Sequence, residues 1–167
     1  MMAFLKILLD NLRKGPATEA FPFGEAPTPP AYRGKVAFDA DTCTGCKMCE
    51  HVCAGGAIRF AEDDDGLHFL IWHNTCISCG LCEYYCPTKA ITLTNNWHLA
   101  HPQSEKYTQI DHGTVAQCRC TECGTAFLPA IPALMDLAYR GQNDRTKALA
   151  GMCPDCRRRA TLSGARS

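Results

Sequence analysis

No stretch of this chain approaches the roughly 18–20 consecutive apolar residues of a membrane span. An excess of charge is missing too. The 17 basic and 17 acidic residues cancel, so nothing global drives the chain toward nucleic acid or anionic lipid. The apolar N-terminus has no positive charge before it and no small-residue cleavage site after it, so no signal peptide is expected and thiols should stay reduced. A glycine-rich phosphate loop, a nucleophile–base pair and a carboxylate dyad are all lacking. None of the common catalytic constellations is therefore legible.

What the chain does have is cysteine, 13 residues in 167. An odd number argues against a purely disulfide framework, and reduced, clustered cysteines read as metal ligands. The length allows one domain, or one small domain with an appendage.

Residues 2–12, drawn as a helix, place Leu5, Leu8, Leu9 and Leu12 on one face, with Lys6, Asp10 and Arg13 largely opposite. Such a helix docks either on the chain's own core or on a membrane surface or membrane-embedded partner. The second is favoured, because residues 16–34 hold five prolines and read as an extended tether.

The middle of the chain repeats itself. Phe38 to Phe60 aligns with Ile71 to Leu93 at an offset of 33 residues, matching Thr42, Cys43, Cys46, Cys49, Glu50, Cys53, Ala57 and Ile58 with Thr75, Cys76, Cys79, Cys82, Glu83, Cys86, Ala90 and Ile91. Each copy is expected to contain an entering strand (Lys35–Phe38; Leu67–Trp72) and a loop with three cysteines. A short helical turn should then carry the fourth, before a closing strand (Ala57–Ala61; Ala90–Thr94). Residues 62–66 form the turn between copies.

Cys43-x2-Cys46-x2-Cys49-x3-Cys53 and Cys76-x2-Cys79-x2-Cys82-x3-Cys86-Pro87 are the bacterial ferredoxin run, twice. The fourth cysteine of such a run ligates the other cluster in two-cluster proteins. One 4Fe–4S cluster is therefore assigned to Cys43, Cys46, Cys49 and Cys86, and the second to Cys76, Cys79, Cys82 and Cys53. Proline follows Cys86 but not Cys53, where Ala54-Gly55-Gly56 should loosen the turn. His51 and His73 lie near these loops and are expected to be ordinary packed or solvated histidines. Trp72 and Trp97 are expected to pack on the second repeat.

Beyond them lie Cys118, Cys120 and Cys123, then Cys153 and Cys156. The pairs Cys120/Cys123 and Cys153/Cys156 make two C-x2-C knuckles, enough thiolates for one tetrahedral metal. Zinc is favoured over a single rubredoxin-like iron. Cys118 either replaces Cys120 or is free. Four cysteines fill the site without His98, His101 or His112. The intervening segment reads as helical, starting near Pro132, with Leu134, Leu137 and Ala138 on one face and Gly141 near its end. Arg157-Arg158-Arg159 reads as a solvated end. A nucleic-acid regulator is the alternative from another class, and no nucleic-acid partner is expected.

The fold expected is α+β: a duplicated bacterial two-cluster ferredoxin-like domain (35–95) between an N-terminal docking helix and tether (1–34) and a C-terminal metal-binding extension (96–167). On these motifs, with Tyr32-Arg33-Gly34-Lys35 and the Cys118-to-Arg157 tail, the chain resembles the two-cluster ferredoxin-type subunits of membrane-bound, energy-converting NiFe hydrogenases. Formate hydrogenlyase and the CO-induced hydrogenase supply the most similar types, and the group is related to the 23 kDa subunit of respiratory complex I. The resemblance implies a peripheral electron-relay subunit on the cytoplasmic side of the inner membrane. Its implied partners are the small and large hydrogenase subunits, a membrane subunit, and a donor: a formate or CO dehydrogenase module or a ferredoxin. A complex I-type relay ending in quinone is the alternative within the same class.

Overall fold

A computed structural model of the chain describes residues 2–16, 18–19, 21, 23–139, 141 and 143–164. The chain divides into two compact units, residues 1–32 and 33–167.

The first unit is built on helix α1 (Met2–Lys14), whose last turn carries Arg13 and Lys14, the charge a helix C-terminus favours. Gly15, at φ 73°, ends it by donating its N–H to the Asn11 carbonyl. Leu5, Leu8, Leu9 and Leu12 are all exposed, as are Phe4 and Ile7. Described residues between 16 and 32 form neither helix nor strand, in keeping with their prolines.

In chain order the second unit contains β1 (Val36–Phe38), α2 (Met48–His51), β2 (Ile58–Glu62), β3 (Gly66–Trp72), α3 (Leu81–Tyr85), β4 (Ile91–Leu93), β5 (Ile110–Ala116), β6 (Cys118–Arg119), β7 (Ala126–Phe127), α4 (Pro132–Tyr139), α5 (Asp144–Ala150) and α6 (Pro154–Gly164). The strands within the repeats lie within a residue of their expected bounds. The helical turns differ from expectation: each contains the third cysteine and stops short of the fourth. Cys86 caps α3 in an extended conformation, and Cys53 follows the cap of α2.

The first entering strand pairs with the second closing strand, β1 with β4, and the first closing strand pairs with the second entering strand, β2 with β3. The two copies are thus interlocked rather than laid side by side. Their backbones also repeat. Gly45 and Ser78, Lys47 and Gly80, and Gly56 and Lys89 are equivalent pairs, and all six residues have φ between 51° and 81°. In each pair one member is glycine, the residue that adopts this conformation without steric penalty.

The core lies between the sheets. Ala57, Ile58, Ala90 and Ile91, the matched alanine–isoleucine pairs, are buried with Val36, Phe69 and Ile71. Cys49 and Cys82 are buried in the same cluster. Strand β5 is a feature the sequence pattern does not signal. It runs antiparallel to β3 over seven residues, from Gly66 opposite Ala116 to Trp72 opposite Ile110. Through β5, the segment after the repeats adds one strand to their sheet. The Phe38 ring stacks on Phe69 with centroids 4.0 Å apart, and a Cβ on Gly113 would come within 2.6 Å of it. Only glycine lets β5 pass under that ring.

Helix α4 starts at Pro132 as expected; the face of Leu134, Leu137 and Ala138 is exposed, and Met135 is buried.

Gly113→Val should cost about 1–3 kcal/mol, the range for overpacking a filled site. Chemical denaturation of the cluster-loaded protein should show a lower midpoint. An unchanged midpoint would mean that Phe38 and β5 part freely.

Candidate metal centres

The eight cysteines of the repeats line two cavities. One has Cys43, Cys46, Cys49 and Cys86 in its walls together with Phe38, Phe60 and Ile91. The other has Cys76, Cys79, Cys82 and Cys53, with Val36, Ile58, Ile71 and Leu93. Each cavity thus takes three cysteines from one run and the last from the other. Strand interlock explains the exchange: crossing between sheets carries each fourth cysteine beside the other copy's loop.

The walls suit an anionic group. The N–H of Gly45 points at the Cys43 sulfur at 3.4 Å, that of Ser78 at Cys76 at 3.5 Å, and that of Ala57 at Cys53 at 3.2 Å. The left-handed backbone at Gly45 and Ser78 accompanies the first two. Burial pushes the Cys49 thiol up to about 12 and the Cys82 thiol up to about 11. Thiolates there call for cations in the cavity. Cys86 differs: burial pushes it up, but N–H groups of Ile91, Thr88 and Ala90 and the Thr88 hydroxyl pull it below the usual thiol value. Cys46 and Cys79 are exposed, so each cavity reaches the surface at one ligand.

The turn after Cys53 is closed despite the missing proline. The Gly56 N–H donates to the Cys53 carbonyl at 3.1 Å, and a Cβ on Gly55 would collide with the Thr75 carbonyl. Glycine permits a backbone approach between the two loops there. His51 is exposed. His73 is buried, and its Nε2 lies 2.7 Å from the Asp111 carboxylate on β5.

A third centre lies outside the repeats. Among the described residues, only Cys120, Cys123, Cys153 and Cys156 bring three or more candidate ligand atoms within 4.8 Å of one another. The Sγ atoms of Cys123 and Cys153 are 3.7 Å apart. A tetrahedral ion with metal–sulfur bonds of about 2.3 Å spaces its sulfurs at about 3.8 Å, so these four suit a single ion. The eight repeat cysteines form no such single-ion group among the described residues, in keeping with ligands that bind different irons.

Two elements build the site. The β6–β7 hairpin turns through Gly124, at φ 71°, whose N–H reaches the Cys120 carbonyl, while the Cys120 N–H reaches the Thr125 carbonyl. Facing it is the start of α6, with Cys153 just before Pro154 and Cys156 in the first turn, where the helix field favours thiolates. The Cys153 N–H, 3.1 Å from the Cys120 sulfur, holds that thiol down, to about 6. At Cys156 the Arg159 guanidinium, 3.0 Å away, pulls the pKa down. Burial and the three crowded thiols outweigh it and push the last ionisation up to about 12. Four such thiols lose all their protons together only around a cation.

The arginine run is therefore not a simple solvated end. Arg157 donates to the Leu149 and Met152 carbonyls and Arg159 to the Cys156 sulfur, while Arg158 pairs with exposed Asp155. The sequence reading missed this bracing, although an arginine three residues after a cysteine in a helix is a usable signal. The His98 ring lies tilted against Trp97, with centroids 4.3 Å apart, and His101 Nδ1 lies 2.6 Å from the Leu99 carbonyl. Neither belongs to a ligand group, nor does exposed His112. Cys118 is half-buried on β6 and outside the four-sulfur group.

Arg159→Ala should weaken metal binding at this site by roughly 10–100-fold, the usual cost of losing a group that supports a ligand. Competition titration with a chromogenic chelator measures it, and wild-type affinity in the variant would show that the guanidinium is incidental.

Residues 42–91 match the 4Fe–4S dicluster domain family. The chain is 33% identical over 49 residues to the NAD(P)H-quinone oxidoreductase subunit I of Crocosphaera subtropica, covering 29% of this chain and 25% of that protein. It is 36% identical over 67 residues to NADH-quinone oxidoreductase subunit I 2 of Anaeromyxobacter dehalogenans, covering 36% and 25%. The matched segment thus spans about a quarter of the length of these curated relatives. Among solved structures, a chain of the membrane-bound sulfane sulfur reductase, an archaeal respiratory membrane complex, aligns at 22% identity and a TM-score of 0.48, covering 83% of this chain and 69% of that one. With its two four-cysteine cavities, the stretch from residue 42 to residue 91 is a 4Fe–4S dicluster domain.

Proposed function

We propose that this chain is an electron-relay subunit of a membrane-bound respiratory complex. The observation that carries the reading is the pair of cavities, each walled by three cysteines of one run and the fourth of the other. Cys43, Cys46, Cys49 and Cys86 hold one 4Fe–4S cluster, and Cys76, Cys79, Cys82 and Cys53 hold the second. Bound there, such clusters supply one-electron transfer. The chain's own residues do the rest. Val36, Ile58, Ile71 and Ile91 exclude water, the N–H groups of Gly45, Ala57 and Ser78 spread ligand charge, and exposed Cys46 and Cys79 bring each cavity to the surface. Cys120, Cys123, Cys153 and Cys156 hold one zinc, or one mononuclear iron, as a structural clasp.

Within that class we favour a membrane-bound NiFe hydrogenase, on the resemblance of the cysteine tail. The partners are then the small and large hydrogenase subunits, a membrane subunit, and a donor that is a formate or CO dehydrogenase module or a ferredoxin. The place is peripheral, on the cytoplasmic face of the inner membrane. No helix among the described residues is long and apolar enough to cross a membrane, and the exposed apolar face of α1 supports docking on a membrane or a membrane-embedded subunit. No nucleic-acid partner is proposed, since two of the three clustered arginines are used internally.

The second reading is a relay to quinone, which the names of the curated relatives favour. The purified complex separates the two: hydrogen evolution from a reduced donor supports the first, and quinone reduction without hydrogen evolution the second.

Anaerobically purified protein should contain about eight irons and eight sulfides, with one zinc. About nine irons without zinc would keep the relay and make the third site mononuclear iron. Four irons or fewer after careful reconstitution would overturn the reading. Cys120→Ser should weaken assembly into the complex while leaving both cluster signals, and normal assembly would refute the structural role of the third site.

A further inference from the structure

The duplication supplies an internal control. Two copies of one backbone hold two cavities, so a surface feature present on only one copy is not demanded by cluster binding or by the fold. Thr44, His51, Val52 and Gly56 of the first copy correspond to Ile77, Tyr84, Tyr85 and Lys89 of the second. The second set is larger, and its isoleucine and two aromatic rings lie outside. Ile77 is 65% exposed, Tyr84 75% and Tyr85 51%. The two tyrosines pack edge to face at 5.0 Å, forming a preformed aromatic ledge. Leu81 is exposed beside them, and exposed Cys79 lies in the same loop.

Charge at the rim is also one-sided. Arg33 donates to the Cys79 carbonyl at 3.2 Å, and Lys89 donates to the Glu83 carbonyl at 3.0 Å. Both cations line one open groove, in which Glu83 is the one carboxylate among the described lining residues. No carboxylate among the described residues lies within 4.0 Å of either cation. An apolar, aromatic centre with unpaired cations at its edge is the pattern of a protein-binding surface rather than of a solvated loop.

We infer that the face around Cys79 is the docking surface for one redox protein, whose own contact face has an apolar centre and an acidic rim. Electrons then enter or leave the chain through the second copy's cavity. This inference rests on the relay reading. A second copy of this chain is a poor occupant, because self-docking sets Arg33 and Lys89 against like charges.

The test uses the full-length, cluster-loaded protein under anaerobic conditions, with a dithionite-reduced acidic eight-iron ferredoxin as the probe. Stopped-flow absorbance reads the second-order rate of cluster reduction. Ile77→Thr with Tyr84→His installs the first copy's own side chains, which this backbone already carries. Lys89→Glu reverses one rim charge. Met48→Ala with His51→Ala is the mirror control at the first cavity. The double exchange and the charge reversal should each slow reduction by roughly tenfold or more, and Lys89→Glu should flatten the dependence on salt. The mirror control should stay within about twofold of wild type.

Equal rates in all variants, or a loss confined to the mirror control, would overturn the inference. So would failure of the ferredoxin to reduce a wild-type protein that dithionite alone reduces, because the acidic partner would then be wrong. In those cases the relay reading stands. A chain that takes up no electrons even from dithionite brings down both, and that outcome shows in the cluster spectra before any ferredoxin is added.

Discussion

Everything in the second unit depends on one exchange: each cavity is completed by a cysteine from the other repeat. The exchange follows from pairing β1 with β4 and β2 with β3 instead of each copy with itself. The buried apolar set is small, with five large side chains fully buried: Phe69, Ile58, Leu67, Ile71 and Ile91. A core of that size contributes little surplus over chain entropy. Groups that tie both halves together through eight sulfurs are the natural supplement, as metals are in other small domains. Burial also raises Cys49 and Cys82 so far that their thiolates are favoured only when cations share the cavity. Folding and loading are thereby coupled.

The third centre uses different physics. Its four sulfurs come from a hairpin and a helix start that share few other contacts, and backbone N–H groups, a helix dipole and Arg159 all face them. The four sulfurs join two small elements, whereas the cavities of the repeats are part of a core. The hairpin that carries Cys120 and Cys123 is a separate two-stranded sheet, joined to β5 through Gln117 alone.

The repeat, the eight-cysteine spacing and the paired knuckles were legible in the sequence because ligand geometry constrains residue type and interval together. The strands within the repeats were legible because alanine–isoleucine pairs and entering runs recur. Strand β5 was not. Its sequence, Ile110-Asp-His-Gly-Thr-Val-Ala, has no clean alternation, and its partner β3 and the glycine under Phe38 define it instead. Which face of α4 is covered was not legible, because periodicity marks a stripe without saying which neighbour covers it. Arginines 157 and 159 looked like surface charge, since nothing in a charge run shows that a carbonyl or a sulfur waits within reach. The contact between buried His73 and exposed Asp111 was invisible for a related reason: its members are 38 residues apart and meet only through β5.

That late strand has a consequence for how the protein is made. A chain that has left the ribosome as far as Leu93 already owns both cysteine runs and every residue of both cavities. Its β3, however, still has one bare edge, carrying the backbone of Leu67, Phe69 and Ile71. Such an edge is a template for pairing with other chains. At synthesis rates of about 5–20 residues per second, β5 follows within seconds and closes it. The C-terminal strand therefore acts as a guard on the nascent sheet, and truncation before residue 110 would leave a chain with all its cluster ligands and a standing invitation to aggregate.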